Sequence, residues 1–364
     1  MASLDFNRDK EFLLLNKDTP VLVFSISSSE FGENYNVKYV LNRGLIPKDL
    51  RDLRDWLDKR YILSHRHSIK VFFNVLGISS MSDFIKITHC ISLKDTYWVK
   101  VVSSRLHWGN VSPYKNPLNK AIADYSFERT FDGKRISGSP DFSTDGNFPK
   151  CWKKTASGLY LYKAGSSGAC NAGNEPYSEV YAYNIAKELG IKTVAYELGE
   201  YKGKLITRCK CITSERVGLI SYKDLYNTHY CDFEVLLSRA NSEIEQKYLI
   251  DMLLLDYIIC NVDRHYGNIG LLLDNDKNEV LGYSPLYDHN LSCLPYYLED
   301  ESLDYYISDI RAKDGRTWEE LYRLIDCKYV QDKVKRLRGK TFSIGSKRDK
   351  VVNKMVEIQV KRVL

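Results

Sequence analysis

Asp263 and Asn268 lie in the stretch NVDRHYGN, and Asp288 follows twenty residues later in the sequence LYD. Transfer of a phosphoryl group from ATP requires an Asp that orients the attacking hydroxyl, an Asn and an Asp that hold Mg²⁺, and a Lys that clamps the phosphates. This part of the chain supplies three of those four groups in the expected order. It predicts Asp263 as the catalytic residue and Asn268 and Asp288 as metal ligands.

The segment before this stretch predicts the helix that leads into it. After Ser242, which pairs with Glu245 as a capping box, apolar residues recur at helical spacing through Cys260. These residues are Ile244, Tyr248, Leu249, Met252, Leu255 and Ile259. The pattern is typical of a helix that is buried on most sides.

A β-hairpin is predicted after the stretch. Residues 269–273 and 279–283 are rich in strand-forming side chains and flank a polar turn. Asp263 and Asn268 would then face one cleft, which Asp288 would reach just after the hairpin. Asp and Asn are also common in turns and caps, so the combination and its order favour catalysis rather than any single residue.

The fourth group, a lysine, is predicted upstream at the end of a strand. In the sequence SGLYLYK, side chains alternate so that Leu159, Leu161 and Lys163 share one face. A helix predicted from Pro176 to Leu189 carries Glu179 near its start. Because a helical Glu can pair with a strand Lys and hold it against ATP phosphates, we expect Lys163 and Glu179 to pair. Alone, Lys163 would be read as a lysine that extends to water.

Glu175 is the competing partner for Lys163. It precedes Pro176, a position that favours capping of the helix over reaching into a cleft. Strands at residues 193–199 and 204–211 are predicted to complete this lobe.

Together these motifs resemble the HipA-like serine/threonine kinase family. The resemblance rests on Lys163, on Ser178-Glu179 in a helix that ends in AKELG, on NVDRHYGN and on Tyr287-Asp288, and it covers roughly residues 139–304. It implies an α+β, two-lobed protein-kinase-like fold with a mainly helical C-lobe. It also implies ATP and Mg²⁺ as cofactors and a protein substrate with a Ser or Thr hydroxyl.

Residue by residue, the resemblance assigns Asp263 as the catalytic base, Asn268 and Asp288 as Mg²⁺ ligands, and Lys163 as the ATP-phosphate lysine. The best-known members of the family are toxins of toxin–antitoxin pairs. A toxin-like role with a separate, antitoxin-like DNA-binding partner is therefore an expectation.

The phosphate-covering loop is where this chain departs from the family. Family members often carry a compact Ser-Gly-x-Gln-x-Lys motif, whereas this chain has a longer Gly-, Ser- and Asn-containing segment at residues 138–150. Its backbone amides and polar side chains could hold phosphates, and an ordinary surface turn is the alternative. The predicted contacts are Ser143, Thr144, Gly146, Asn147 and Lys150. By analogy, Ser143 or Thr144 would be autophosphorylation sites.

The Asp-Arg-His-x-x-Asn spelling is also the catalytic-loop pattern of phosphatidylinositol 3- and 4-kinases. His265 is therefore included among the catalytic candidates, either as a contact to the transferring phosphate or as a residue that packs within the loop. A lipid kinase and a non-catalytic nucleotide-binding regulatory protein are the alternative functions.

Charge is unevenly distributed along the 364 residues. Residues 328–364 contain twelve Lys or Arg and three acidic residues, so this end is basic while the whole chain carries a net charge of +6. Two apolar stripes in this segment predict helices, and solvated helix faces explain the charge better than a nucleic-acid surface. Direct nucleic-acid binding is not expected.

Other sequence features concern the location of the protein. No stretch is long and apolar enough for a membrane span, and the first residues do not resemble a signal peptide. We expect a cytoplasmic protein, or one that is secreted or translocated without a recognisable signal peptide. The nine cysteines show no zinc or disulfide spacing and are predicted to be reduced thiols.

Three regions are predicted in all. Residues 1–130 would form an N-terminal accessory subdomain and connection, 131–212 the N-lobe with the phosphate loop, and 213–364 the C-lobe with basic C-terminal helices. Within the accessory region we expect strands at 11–24 and 69–75, a helix at 48–59, and a strand, turn and strand across 87–102.

Overall fold

The structure is a computed structural model that describes residues 10–30, 32–61, 78–119, 127, 148–299 and 301–364. The chain divides into two compact units. The first contains the described residues of 1–161 together with 211–220 and 272–281, and the second contains 162–210, 221–271 and 282–364. The strand predicted at 69–75 lies outside the described residues, and the predicted three-region division stays a prediction.

The first unit contains a four-stranded sheet of strand order β3-β2-β1-β4. Its strands are β1 (Lys10–Asn16), β2 (Thr19–Ser29), β3 (Gly32–Val40) and β4 (Tyr97–Val101). β1 pairs antiparallel with both β2 and β4. The buried residues of the sheet pack with those of helices α1 (Leu53–Tyr61) and α2 (Met81–Thr88) in one hydrophobic core. A single helical turn, α3 (Trp108–Val111), follows.

Several expectations for this unit were wrong. The single strand at 11–24 is a hairpin, because Lys17 adopts a left-handed φ of +51° and reverses the chain. The first strand expected within 87–102 is instead the end of α2, which begins after Ser80, whose hydroxyl accepts from the Asp83 amide. The helix expected at 48–59 begins five residues later, at Leu53.

Two further sheets contain the remaining strands. One has the order β5-β6-β8-β7 and consists of β5 (Lys150–Thr155), β6 (Gly158–Ala164), β7 (Tyr196–Tyr201) and β8 (Lys204–Lys210). The other has the order β11-β10-β9 and consists of β9 (Val217–Ser221), β10 (Gly270–Asp274) and β11 (Glu279–Tyr283). The predicted lysine strand and the predicted hairpin are confirmed within one residue at each end. The strand expected at 193–199 is shifted to 196–201.

Helices are the main regular elements of the second unit. They are α4 (Glu175–Leu189), α5 (Tyr222–Tyr226), α6 (Phe233–Ser238), α7 (Glu243–Ile258), α8 (Leu303–Asp309), α9 (Trp318–Arg323), α10 (Lys328–Val334) and α11 (Asp349–Val363). Short 3-10 helices cover Tyr266–Asn268 and Lys335–Leu337. The helices predicted at the C-terminal end are confirmed. Within the described parts of the chain, no helix combines the length and apolarity needed to cross a membrane.

Helix α7 is the buried centre of this unit. Ser242 caps it by accepting from the Glu245 amide at 3.2 Å, as predicted, but the Glu245 carboxylate accepts from the Asn241 amide at 2.8 Å rather than from Ser242. Leu249, Met252 and Leu255 are fully buried. The expectation that Ile244 shares this buried face is wrong, since it lies in the first turn and is 83% exposed.

These two positions on α7 give a matched stability test. Met252→Ala should lower the free energy of unfolding by about 2–5 kcal/mol, because it leaves a cavity in a packed core. Ile244→Ala should change it by less than about 0.5 kcal/mol, because the side chain is already in water. Chemical denaturation of both variants measures the difference. Equal losses would contradict the central position of α7.

Candidate active site

Strand β6 and helix α4 bring Lys163 and Glu179 together. The Lys163 Nζ atom lies 2.7 Å from Glu179 Oε1 and 2.7 Å from Asp288 Oδ1. Pro176 stands in the first turn of α4, and Gly190 ends the helix with a φ of +67°, as the sequence indicated. The predicted pair is therefore in contact, and the same lysine reaches the predicted metal ligand Asp288.

Burial and charge decide the state of this lysine. Burial alone would lower the pKa of Lys163, but the carboxylates of Asp288 and Glu179 outweigh it and hold that pKa well above its ordinary value. Glu179 is only 1% exposed, and its second oxygen accepts a hydrogen bond from the Thr207 hydroxyl on β8. The ammonium is thus charged and fixed in one position.

Asp288 reaches the site through a backbone pairing. Leu286 forms a parallel bridge with Thr193, and the Val194 amide donates to the Leu286 carbonyl at 2.8 Å. Asp288 itself has a left-handed φ of +61°, and its amide donates to the Tyr196 hydroxyl at 3.0 Å. This turn directs the Asp288 carboxylate toward Lys163.

The loop after α7 holds the predicted catalytic residue by its backbone. The Asp263 amide donates to Asn261 Oδ1 at 3.2 Å, and Asn268 Nδ2 donates to the Asp263 carbonyl at 3.1 Å. The Asn268 amide is thereby oriented, with its oxygen as the atom that a cation could bind. The structure brings Asp263 and Asn268 together in this loop, and their roles stay predictions.

His265 packs within the loop. Its Nδ1 atom accepts from the Gly267 amide at 3.0 Å, and its Nε2 atom lies 4.0 Å from Asp263 Oδ2. A Cβ atom on Gly267 would lie 2.8 Å from the His265 ring, so glycine is needed for this contact. Burial lowers the pKa of His265, an effect that the Asp263 carboxylate partly offsets. Burial therefore favours the neutral ring.

Arg264 connects helix α7 to the two loops that carry Asn268 and Asp288, and the sequence analysis did not predict this role. Its guanidinium is 1% exposed and bonds both oxygens of Asp256 on α7, at 2.9 and 3.2 Å. It also donates to the carbonyls of Asn268 at 2.7 Å and Tyr287 at 2.9 Å. The signal for this pair was present, since Asp256 is a single charge in the apolar run LLLDYIIC, and a buried charge needs a partner.

Lys313 is a second group that the sequence did not reveal. Its Nζ atom lies 2.7 Å from Asp263 Oδ1, although the two residues are fifty positions apart. Lys313 stands between α8 and α9, where no motif distinguishes it from the many other lysines of the chain. Sequence spacing alone does not predict such a contact.

The other candidates are less informative. Ser143, Thr144, Gly146 and Asn147 lie outside the described residues, and Lys150 begins β5 in the first unit. Their predicted phosphate contacts stay predictions.

The capping role expected for Glu175 is wrong. Its buried carboxylate accepts from the Ser166 amide at 3.1 Å and the Tyr296 hydroxyl at 2.7 Å. Glu175 is the first residue of α4, and its side chain turns toward these two donors outside the helix rather than toward the amides of the first turn.

The donor set suits Mg²⁺ rather than a thiolate or imidazole metal. Asp288 offers a carboxylate and Asn268 an amide oxygen, the hard ligands that Mg²⁺ prefers, and Mg²⁺ commonly takes its other ligands from substrate phosphates and water. Among the described residues, no group of three or more His, Cys, Asp or Glu could hold a metal by itself. The residues present therefore fit a Mg²⁺ ion that arrives with a nucleotide.

Comparisons with known proteins give matches in fold and in sequence. No family model matches the sequence. A chain of the Shewanella oneidensis MR-1 toxin–antitoxin complex of HipA, HipB and operator DNA superposes with a TM-score of 0.54 at 11% identity, over 97% of this chain and 96% of that chain. The two chains share this fold. The predicted α+β fold class is confirmed.

Part of the sequence is related to that of a known kinase. Serine/threonine-protein kinase CtkA of Helicobacter pylori (strain J99) is 31% identical over 160 residues, which are 40% of this chain and 48% of CtkA. The chain thus matches about half the length of this relative. The crystal structure of H. pylori CtkA covers 60% of this chain and 92% of its own, with a TM-score of 0.42 and 19% identity.

Arg264 gives a test of how the site is held. Arg264→Met should lower the free energy of unfolding by about 3–5 kcal/mol, because it leaves the Asp256 carboxylate buried and unpaired. Arg323→Met is the control, since Arg323 and its partner Glu319 are 69% and 76% exposed and such pairs contribute little. Denaturant melts of the two variants should differ clearly. A small loss for Arg264→Met would contradict the role of Arg264 in holding the site together.

Proposed function

We propose that this chain is an ATP- and Mg²⁺-dependent kinase that transfers the γ-phosphoryl group to a Ser or Thr hydroxyl of a protein. One observation carries the proposal: the Lys163 ammonium lies 2.7 Å from both Glu179 and Asp288. A lysine so paired is the group that kinases use against the α- and β-phosphates. The relationship to CtkA, a serine/threonine-protein kinase, supports the same conclusion.

Lys163 neutralises phosphate charge. Because Glu179 is buried and bonded to Thr207, the carboxylate holds the ammonium in place before nucleotide binds. A charge fixed in advance stabilises the transition state without reorganising during the reaction. Glu179 is therefore a positioning residue for Lys163.

Asp263 orients the acceptor. Its backbone is held by Asn261 and Asn268, so the carboxylate, with a side chain 26% exposed, stands at a defined point where a hydroxyl can approach. It accepts the hydroxyl proton as the new P–O bond forms and the bond to ADP breaks.

Asn268 and Asp288 would hold Mg²⁺ through one amide oxygen and one carboxylate. When bound, Mg²⁺ neutralises charge on the phosphate oxygens during transfer. Arg264 contributes indirectly, because it bonds the Asn268 and Tyr287 carbonyls and so fixes the spacing of the two ligands.

A separate DNA-binding protein is the partner that the fold comparison supports. The HipA structure with this fold contains HipB and operator DNA. A toxin-like role and autophosphorylation at Ser143 or Thr144 follow from the same family resemblance and are part of this proposal. Phosphosite mapping of the chain after incubation with ATP tests the autophosphorylation.

Loss of the catalytic carboxylate tests the function directly. Asp263→Ala should reduce [γ-³²P]ATP labelling of the chain and of proteins in a cell extract by at least about 10³-fold, because no carboxylate then takes the proton of the substrate hydroxyl. Asp288→Ala should do the same by removing a Mg²⁺ ligand. Circular dichroism checks that both remain folded. Full labelling by folded Asp263→Ala protein would overturn the assignment.

Helix α4 offers a matched pair for the lysine clamp. Glu179→Gln should weaken MgATP binding and lower kcat/KM for ATP by about 10²–10³-fold, since Lys163 loses its positioning charge. Glu175→Gln, one helical turn earlier and equally buried, contacts the Ser166 amide and the Tyr296 hydroxyl and should bind MgATP normally. Calorimetric titration with MgATP measures both. Equal effects would show that burial rather than the Lys163 contact matters.

A further inference from the structure

Lys313 contacts the carboxylate that the proposed mechanism uses as base. Its Nζ atom is 2.7 Å from Asp263 Oδ1, and the two side chains are 43% and 26% exposed. Exposed ion pairs contribute little to folding. Stability therefore does not explain why a lysine stands at this point.

The loop around Lys313 is rigidly held. The Ala312 amide donates to the Arg316 carbonyl at 2.9 Å, and the Gly315 amide donates to the Ala312 carbonyl at 2.9 Å, with a Gly315 φ of +87°. The Arg316 guanidinium binds Asp314, Glu234 at 3.1 Å and Asp232 at 3.5 Å. The backbone on both sides of Lys313 is thus held, so the lysine stem starts from a defined point beside Asp263.

The contact leaves one side of the carboxylate for the acceptor. Lys313 takes Oδ1, whereas Oδ2 lies on the side of His265, whose Nε2 atom is 4.0 Å away. An acceptor hydroxyl would sit about 3 Å from the carboxylate, and the phosphorus about 3–3.5 Å from that hydroxyl oxygen. A lysine bonded to Oδ1 is therefore within reach of the phosphoryl oxygens.

A lysine ammonium has three N–H donors. One is used by Asp263 Oδ1, and the stem of four carbons lets the others turn toward a neighbouring anion. A positive charge at the point where charge moves between donor and acceptor stabilises the transition state.

We propose that Lys313 is a second catalytic lysine, which holds Asp263 Oδ1 and donates to an oxygen of the transferring phosphoryl group. The inference rests on the proposed kinase function. In the step, the acceptor oxygen forms a bond to phosphorus, the bond from phosphorus to the ADP oxygen breaks, and the hydroxyl proton passes to Asp263. Lys313 remains protonated throughout, while Lys163 serves the phosphates of the nucleotide.

The test compares Lys313→Met and Lys313→Arg with a control lysine. Lys335 is 45% exposed and pairs with Asp332 at 2.8 Å, so Lys335→Met removes a similar ion pair elsewhere. Lys313→Met should lower kcat about 10²–10³-fold and change KM for ATP less than about threefold. Lys313→Arg should recover at least tenfold of that loss. Lys335→Met should behave as wild type.

A second measurement needs no acceptor. The thermal shift produced by MgADP should be the same in wild type and Lys313→Met, whereas the additional shift from aluminium fluoride, a mimic of the transferring phosphoryl group, should be lost in Lys313→Met.

Combining Lys313→Met with Asp263→Asn should lower kcat less than threefold below Asp263→Asn alone, because the two residues act as a unit.

Each outcome separates the two proposals. If wild type shows neither labelling nor a response to MgADP, the kinase function is wrong and the role of Lys313 falls with it. If wild type is active and Lys313→Met retains or exceeds its kcat and its aluminium fluoride response, Lys313 is a surface ion pair or a block on Asp263. This second outcome overturns the inference while leaving the kinase function intact.

Discussion

The site depends on one buried ion pair, between Arg264 and Asp256. A guanidinium and a carboxylate that are almost fully removed from water must satisfy each other and every remaining donor. Arg264 does so by donating to the carbonyls of Asn268 and Tyr287. Asn268 is itself a proposed metal ligand, and Tyr287 directly precedes the other one, Asp288. The cost of burying the charge is thus offset by bonds that fix the distance between two separate loops.

This arrangement divides the site into a buried, rigid support and a partly exposed reactive edge. Arg264, Asp256 and Glu179 are almost fully buried, while Asp263, Asp288 and Lys313 are between a quarter and a half exposed. Arg264 and Asp256 bond to each other, and Glu179 accepts from both Lys163 and the Thr207 hydroxyl, so each of these buried residues has a single arrangement. The exposed ones present charge to solvent, where a nucleotide and an acceptor can reach them.

Sequence patterns predicted those parts of the molecule that are set by local rules. The helix α7 and the Lys163–Glu179 pair follow from spacing, capping and strand alternation, which act over a few residues. Lys313 and the Ser166 and Tyr296 contacts of Glu175 depend on which loops meet in three dimensions, and no local pattern records that. The exposure of Ile244 has the same cause, because helical spacing identifies a face but not where its neighbours end.

The negative charge of each carboxylate at the reactive edge is balanced by a lysine. Asp263 and Asp288 would repel the phosphates of ATP, yet each has a lysine ammonium 2.7 Å away, Lys313 for one and Lys163 for the other. Each lysine neutralises its carboxylate and at the same time places positive charge beside it. In the proposed mechanism, a nucleotide that enters with Mg²⁺ would replace the lysine–carboxylate contacts with lysine–phosphate and Mg²⁺–carboxylate contacts, so no charge would be left without a partner. Two lysines would therefore let the proposed pair of acidic catalytic residues accept a polyanion.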